Sequence, residues 1–348
     1  MYTTIHRKFD RPTIDLSTAS ILLTGGTGSF GRAFARRLLG ATPPRRLVIF
    51  SRDEQKQEVM ATELNTEFPE VCDRLRFFIG DVRDASRLVL AMRGIDIIIH
   101  AAALKIIPIA EYNPFECIMT NVHGTENIVK TALSADVKKV IALSTDKAVN
   151  PINLYGASKL AADKIMVAAN NLSGAGGPRF SVVRYGNVLG SRGSVVSVFQ
   201  KAIRAGAMDL PITDPRMTRF WISREQGVAF VLSSLALMTG GEIFVPKIPS
   251  MRVTDLARTI APDLPHKIVG IRHGEKLHEI MIGEDDARMT VGLDDRYVII
   301  PPLPSWSSAH LEALGARPVT EGFRYSSEHN DEWLKGSALA ELIAAKDL

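Results

Sequence analysis

Ile21-Leu22-Leu23-Thr24-Gly25-Gly26-Thr27-Gly28-Ser29-Phe30-Gly31 is the stretch on which the fold of this chain turns. Its apolar run reads as a buried strand, and the amphipathic run Arg32 to Leu39, stopped by Gly40, reads as a helix. Between them Gly26, Gly28 and Gly31 satisfy G-x-G-x-x-G, and Gly25, Gly28 and Gly31 satisfy the related T-G-x-x-G-x-x-G after Thr24. A glycine turn of this kind brings backbone N–H groups and the helix macrodipole up to a pyrophosphate. The glycine pattern alone says little; here the strand it needs precedes it and the helix it needs follows.

Outward from this unit the chain alternates. Arg46 to Phe50, Leu75 to Ile79, Ile95 to His100, Val140 to Leu143 and Phe180 to Arg184 read as strands, with helices near 84–93 and 114–134 between them. Such alternation predicts an α/β fold, a doubly wound parallel sheet of Rossmann type covered on both faces. After about residue 188 the elements shorten and Pro211, Pro215, Pro246, Pro249, Pro262 and Pro265 punctuate them, which predicts a smaller C-terminal substrate-binding lobe. A helix near 224–238 and a strand from Ile243 to Val245 return to the main sheet. The expected domains are therefore 18–187 with 224–246 for the dinucleotide, and 188–223 with 247–348 for the substrate. Residues 1 to about 17 read as a polar arm ahead of the fold.

Composition narrows the function. With 46% hydrophobic and 23% charged residues, the 348-residue chain has the make-up of a soluble globular protein. The most apolar region, Ile95 to Ala110, is interrupted by Asp96, His100 and Lys105, and the N-terminus has no apolar signal region, so the expectation is a cytoplasmic protein with no membrane span. Cys72 and Cys117 form neither a disulfide framework nor a metal spacing. A net charge of +4 without long runs of one sign does not indicate nucleic acid; a few arginines gathered on an anionic small molecule account for it equally well.

Strand ends carry the candidate ligand contacts. After Phe50 an NAD-binding chain usually places an acid on the ribose 2′-hydroxyl, whereas this chain offers Ser51 and Arg52, with Lys56 one turn later. These donors favour NADP, and the nearby Asp53 leaves NAD open. Asp81 stands where it can accept from an adenine amino group, and Ala101, Ala102 and Ala103 are small enough for close approach of a ribose or for tight helix–sheet packing. Val140 to Lys164, VIALSTDKAVNPINLYGASKLAADK, then gathers Thr145, Asp146, Lys147, Tyr155 and Lys159 around one strand end, where open α/β sheets bind ligands. Tyr155 and Lys159 are four apart on one helical face, so the lysine is expected to lower the tyrosine's pKa and ready it to take a proton from an alcohol. Met217-Thr218-Arg219-Phe220-Trp221 and Gly270 to Lys276, with Arg272, have the composition of a phosphate and nucleobase pocket, or of ordinary surface ion pairs.

From Ile21 to Pro301 the segments TGGTGSFG, SRDEQK, FFIGDVRD, HAAALK, LSTDKAVNPINLYGASK, VVRYGNVLGSRGSVV, ITDPRMTRFW and IRHGEKLHE resemble the extended short-chain dehydrogenase/reductase superfamily and, within it, the inverting UDP-N-acetylglucosamine 4,6-dehydratases of the pseudaminic acid pathway. The resemblance implies an NADP cofactor held by Gly25, Thr27, Gly28, Ser29, Phe30, Gly31, Ser51, Arg52, Asp53, Glu54, Gln55, Lys56, Asp81, Val82, Ala101, Lys105, Tyr155, Lys159 and Val188. It implies UDP-N-acetylglucosamine held by Lys105, Asn187, Arg192, Gly193, Ser194, Val195, Val196, Ser197, Arg219, Arg272 and Glu275, and a homo-oligomer. Departures from the family pattern are His273 and Ser197, each where a proline is expected, and a longer N-terminal arm.

The implied chemistry is an elimination enabled by temporary oxidation at C4 of the sugar. Tyr155 takes the 4-hydroxyl proton, Thr145 hydrogen-bonds the 4-oxygen, Lys147 removes the C5 proton and Asp146 protonates the departing C6 hydroxyl. For Lys147 to act as a base its pKa must fall well below ~10.4, which burial and the neighbouring Lys159 are expected to promote. Two alternatives stand beside this reading: a sugar-nucleotide 4-epimerase, which needs no acid and base beside C5–C6, and a non-catalytic NADP-binding sensor.

Overall fold

The computed structural model of the chain describes residues 7–190, 194–303 and 306–344. Seven strands form the parallel part of one large sheet: Leu75–Ile79, Arg46–Ser51, Ser20–Thr24, Ile97–His100, Lys139–Thr145, Arg179–Tyr185 and Ile243–Pro246, in that spatial order. The chain runs outward from Ser20–Thr24 to one edge, then returns to its other side at Ile97–His100. The strand order therefore reverses beside the glycine turn, and in such sheets the ligand crevice opens at the carboxyl ends around that reversal. Ile21, Leu22, Leu23, Ile98, Ile99, Val140 and Ile141 are fully buried, which is why these strands are runs of apolar residues without polar alternation.

Helices cover both faces. The first, Ser29–Ala41, continues past Gly40, so that glycine does not end it; the cap is Thr42, whose N–H donates to the Leu38 carbonyl. The expected helix over 114–134 is three consecutive pieces, Pro114–Ile118, a π-helical turn Met119–His123 and Gly124–Leu133. Arg224–Leu237 starts with a full capping box between Ser223 and Gln226 and ends shortly before Ile243–Pro246, which pairs parallel with Arg179–Tyr185.

Two features differ from the expectation. Thr290–Gly292, Arg296–Ile299 and Arg317–Pro318 add three antiparallel strands to the large sheet, so part of the stretch assigned to the smaller lobe lies in that sheet. These strands are only two to four residues long, too short for an alternation pattern to register. The N-terminal arm, from Arg7 onward, is not a solvated tail: Phe9 packs edge-on to Phe230 at 5.1 Å, Leu16 is buried, and Arg7 reaches both carboxylate oxygens of Glu332. Burying one phenylalanine contributes roughly 1.5–3 kcal/mol, yet a single ring among polar residues leaves no periodic trace. A second apolar cluster, separate from the sheet's core, gathers Leu189, Val196, Phe199, Leu210, Ile212, Met217, Trp221 and Leu256.

Candidate active site

The strand Lys139–Thr145 ends in a single 3-10 turn, Asp146–Ala148, because the Thr145 hydroxyl accepts from the Lys147 N–H at 3.4 Å. The helix Leu154–Ala168 follows, with Asn153 as its cap, accepting from Gly156 N–H at 2.7 Å. This brings Thr145, Asp146, Lys147, Tyr155 and Lys159 to one strand end, all largely buried. Thr145 donates to Asp146 Oδ1 at 2.8 Å, and Lys147 Nζ donates to the same oxygen at 3.0 Å and to Asn187 Oδ1 at 3.3 Å. Deeper, Asp163 accepts from Ser144 Oγ at 2.8 Å and faces Arg184 at 3.3 Å, fixing the helix to the sheet.

The second lobe contributes what the sequence reading did not name. Glu279 is buried just ahead of the strand Ile280–Ile282, with Oε1 3.3 Å from Lys147 Nζ and 3.6 Å from Arg219 Nε. Lys276 donates to the Val149 carbonyl close by. The sequence signal for Glu279 is a lone acid directly before the apolar run Ile280-Met281-Ile282, where an ionised side chain needs a partner.

Electrostatics correct two expectations. Burial pushes Tyr155 up to about 12, outweighing Lys147 and the hydrogen bond with Thr145, so the tyrosine is neutral here and not lowered. Lys159 is itself lowered by burial, which the Asp163 carboxylate opposes. Burial also disfavours the charge on Lys147, but the carboxylates of Asp146 and Glu279 outweigh it and raise its pKa above the ordinary lysine value. The expected neutral lysine is thus a held cation, because two acids rather than Lys159 face it. Burial, together with Glu279, raises Asp146 against the pull of Lys147. Glu279 is lowered: burial opposes its charge, and Lys147, Arg219 and Lys276 overcome that.

At the glycine turn, Gly25 adopts φ +66°, and a Cβ there would lie 2.8 Å from the Ala101 backbone, so the alanine stretch passes directly against the turn. Thr27 is buried, Ser29 and Phe30 begin the helix, and the helix start at Gly28 has no side-chain cap on its first N–H groups. An added Cβ at Gly31 would lie 2.2 Å from the Gly26 carbonyl oxygen. Ser51 accepts from Gln57 at 3.0 Å, Arg52 is half-exposed, and Asp53 caps the helix Glu54–Glu67 while pairing with Lys56. Glu54, Gln55 and Lys105 are exposed. Asp81 is engaged by Arg83 at 2.7 Å and 2.9 Å and by Arg52 at 3.4 Å, next to buried Val82.

The expected substrate residues divide. Asn187 and Val188 form a short strand beside Trp221 and Ile222, and Asn187 meets Lys147. Ser194 caps the helix Val195–Arg204, which contains buried Val196 and half-buried Val195 and Ser197. Arg192 and Gly193 lie outside the described residues. Arg219 is buried and donates to the carbonyls of Thr218, Lys276 and Leu277, whereas Arg272 is largely exposed, 3.8 Å from Glu275.

Comparison with known proteins gives four findings. Residues 21–301 match the family described as polysaccharide biosynthesis protein. The chain is 54% identical over 329 residues to the UDP-N-acetylglucosamine 4,6-dehydratase (inverting) of Campylobacter jejuni, covering 93% of this chain and 97% of that one. It is 38% identical over 335 residues to the UDP-glucose 4-epimerase of Rickettsia rickettsii, covering 94% and 96%. Among solved structures, the dTDP-glucose 4,6-dehydratase DesIV of Streptomyces venezuelae, with NAD and TYD bound, superposes with a TM-score of 0.63 at 25% identity over 74% of this chain and 86% of that one.

Proposed function

The chain belongs to the polysaccharide biosynthesis protein family, and on that premise we propose that it is a UDP-N-acetylglucosamine 4,6-dehydratase that inverts C5, giving UDP-2-acetamido-2,6-dideoxy-β-L-arabino-hex-4-ulose. The observation that carries this reading is the buried Lys147–Asp146 pair at 3.0 Å, on the same strand end as Tyr155. A 4-epimerase needs the tyrosine but not this acid and base, which is why the epimerase relative does not lead the reading. A non-catalytic sensor has no use for a buried Tyr155 beside an ionised pair.

The uncapped helix start at Gly28 and the close-packed Gly25–Ala101 contact suit a dinucleotide pyrophosphate. When bound, a nicotinamide cofactor accepts hydride from C4 of the sugar and returns it to C6. NADP is the form proposed: both carboxylate oxygens of Asp53 are engaged by Lys56, while half-exposed Arg52 stands at the strand end. The chain's own residues move the protons. Tyr155 takes the 4-hydroxyl proton in its ionised form, which the Lys147 charge and the Thr145 hydrogen bond favour against the burial that otherwise holds it neutral. The resulting 4-ketone acidifies C5, Lys147 takes that proton once its ammonium has passed one to Asp146, and Asp146 protonates the C6 hydroxyl as it leaves as water. Arg272 and Glu275 face the sugar nucleotide in this reading, and exposed Ile109, Tyr112 and Phe115 support assembly into a homo-oligomer.

The test is incubation of the purified protein with UDP-N-acetylglucosamine in D₂O without added cofactor, followed by mass and NMR analysis. Loss of water, deuterium at C5 and inverted C5 configuration are expected. Unchanged mass means an epimerase, and retained C5 configuration means a retaining dehydratase.

A further inference from the structure

We propose that Glu279 is a positioning residue that holds Lys147 in place and, by staying the anion of the buried carboxylate pair, directs the Lys147 proton to Asp146, so that Asp146 serves as the acid. This deepens the dehydratase reading and rests on it. Glu279 comes from the second lobe, is 2% exposed, and shares one oxygen between Lys147 Nζ at 3.3 Å and Arg219 Nε at 3.6 Å. Asp146, 0% exposed, holds Lys147 Nζ from the other side at 3.0 Å. One ammonium therefore bridges two buried carboxylates, and in so dry a setting such neighbours do not ionise equally.

The surroundings decide which of the two takes the Lys147 proton. Glu279 has Arg219 from the strand Thr218–Ile222 and Lys276 from the preceding loop, besides Lys147. Asp146 has Lys147, the Thr145 hydroxyl and the repelling Glu279, with neutral Tyr155 alongside and Lys276 acting on it less than on Glu279. His278, directly before Glu279, is turned away to Thr218 and Glu328. Glu279 is accordingly the fixed anion and Asp146 the proton carrier. Asp146 Oδ2 and Glu279 Oε2 are each buried with no hydrogen-bond partner among the described residues; what distinguishes the two carboxylates is the second cation on Glu279, Arg219 at 3.6 Å.

This arrangement balances the elimination. Moving one proton from the Lys147 ammonium to the Asp146 carboxylate converts the ion pair into an amine and a carboxylic acid. The amine takes the C5 proton, the C5–H electrons become the C5–C6 double bond, the C6–O bond breaks, and the Asp146 proton leaves with the hydroxyl as water. The pair ends as the ion pair from which it began.

The experiment compares the pH dependence of kcat and KM for wild type, Glu279→Gln, Glu279→Asp and Lys147→Ala. Loss of the Glu279 charge weakens proton binding at both Lys147 and Asp146, so the Glu279→Gln profile moves to lower pH by about 1 unit or more, as expected for a charge this close. Its kcat falls about tenfold or more, as misplacement of a reacting group does, with KM little changed. Glu279→Asp keeps the charge and leaves the profile in place, even if it turns over more slowly. A Glu279→Gln profile with unmoved limbs overturns the proposal, as does a Glu279→Asp profile displaced to lower pH should the Gln variant not fold. If Lys147→Ala still dehydrates, the lysine reading falls and this proposal with it; if Lys147→Ala is dead while the Glu279 profiles stay fixed, only the role of Glu279 falls.

Discussion

The Cβ that Gly156 lacks would lie 2.2 Å from the carbonyl oxygen of Lys147. The helix bearing Tyr155 is thus pressed onto the turn bearing Lys147, and the distance between the two reacting groups is set by the absence of one methyl. Gly156→Ala must move helix or turn. Overpacking of this kind costs typically 1–3 kcal/mol, and a shift of about 1 Å in a reacting group costs up to about 100-fold in rate. The variant is expected to fold and bind the dinucleotide but to lose kcat; a wild-type kcat would show that the helix–turn contact is slack.

Lys147→Ala should abolish water loss while leaving slow oxidation at C4, since Tyr155 and Lys159 remain. Absorbance of reduced nicotinamide after mixing with substrate, read beside product mass, separates the two steps. Continued dehydration would exclude Lys147 as the C5 base.

Arg52→Ala should weaken NADP far more than NAD, because a half-exposed guanidinium at this strand end has a 2′-phosphate to meet only in NADP. Dissociation constants for the two cofactors decide it, equal losses counting against the assignment. The same cofactor is expected to co-purify, since a hydride that leaves and returns in one cycle gives it no reason to dissociate.

The two arginines should behave differently. Arg272, exposed beside Glu275, is expected to raise KM when replaced by alanine, by about 1.5–3 kcal/mol if it makes a charge-assisted contact. Arg219 holds three backbone carbonyls and faces Glu279, so its removal should lower the melting temperature as well as activity. Thermal unfolding of Arg219→Ala at the wild-type midpoint would show that these bonds carry no stability.

His100 makes stability sensitive to acid. Burial, with a smaller contribution from the Lys159 charge, lowers it to about 3, and its ring nitrogens meet Thr24 at 2.8 Å and Thr125 at 3.3 Å. Its folded pKa lies below the unfolded one, so it contributes stability that is present above about pH 6.5 and lost as pH falls toward 3, by at most about 1.4 kcal/mol per unit. Between pH 7 and 5 the melting temperature of His100→Gln should fall less steeply than that of wild type. Parallel slopes would mean that other groups set the acid limit.

The sequence by itself determined the strand, glycine turn and helix at Ser20–Ala41, the alternation that follows, and the placing of Thr145, Asp146, Lys147, Tyr155 and Lys159 at one strand end. Those are local facts: apolar runs bury, glycines turn, and residues four apart on a helix share a face. What only the tertiary structure decided is the protonation of that site. Glu279, 132 positions after Lys147 in the chain, enters from the second lobe to face it, so a lysine expected to be neutral is held charged. The tyrosine expected to be lowered is raised, because burial outweighs the Lys147 charge and the Thr145 hydrogen bond. The short strands at 290–299 and 317–318 likewise exist only through pairing with Ile243–Pro246 and one another. Charge interactions act through space and depend on what is excluded from water, and spacing along a chain records neither.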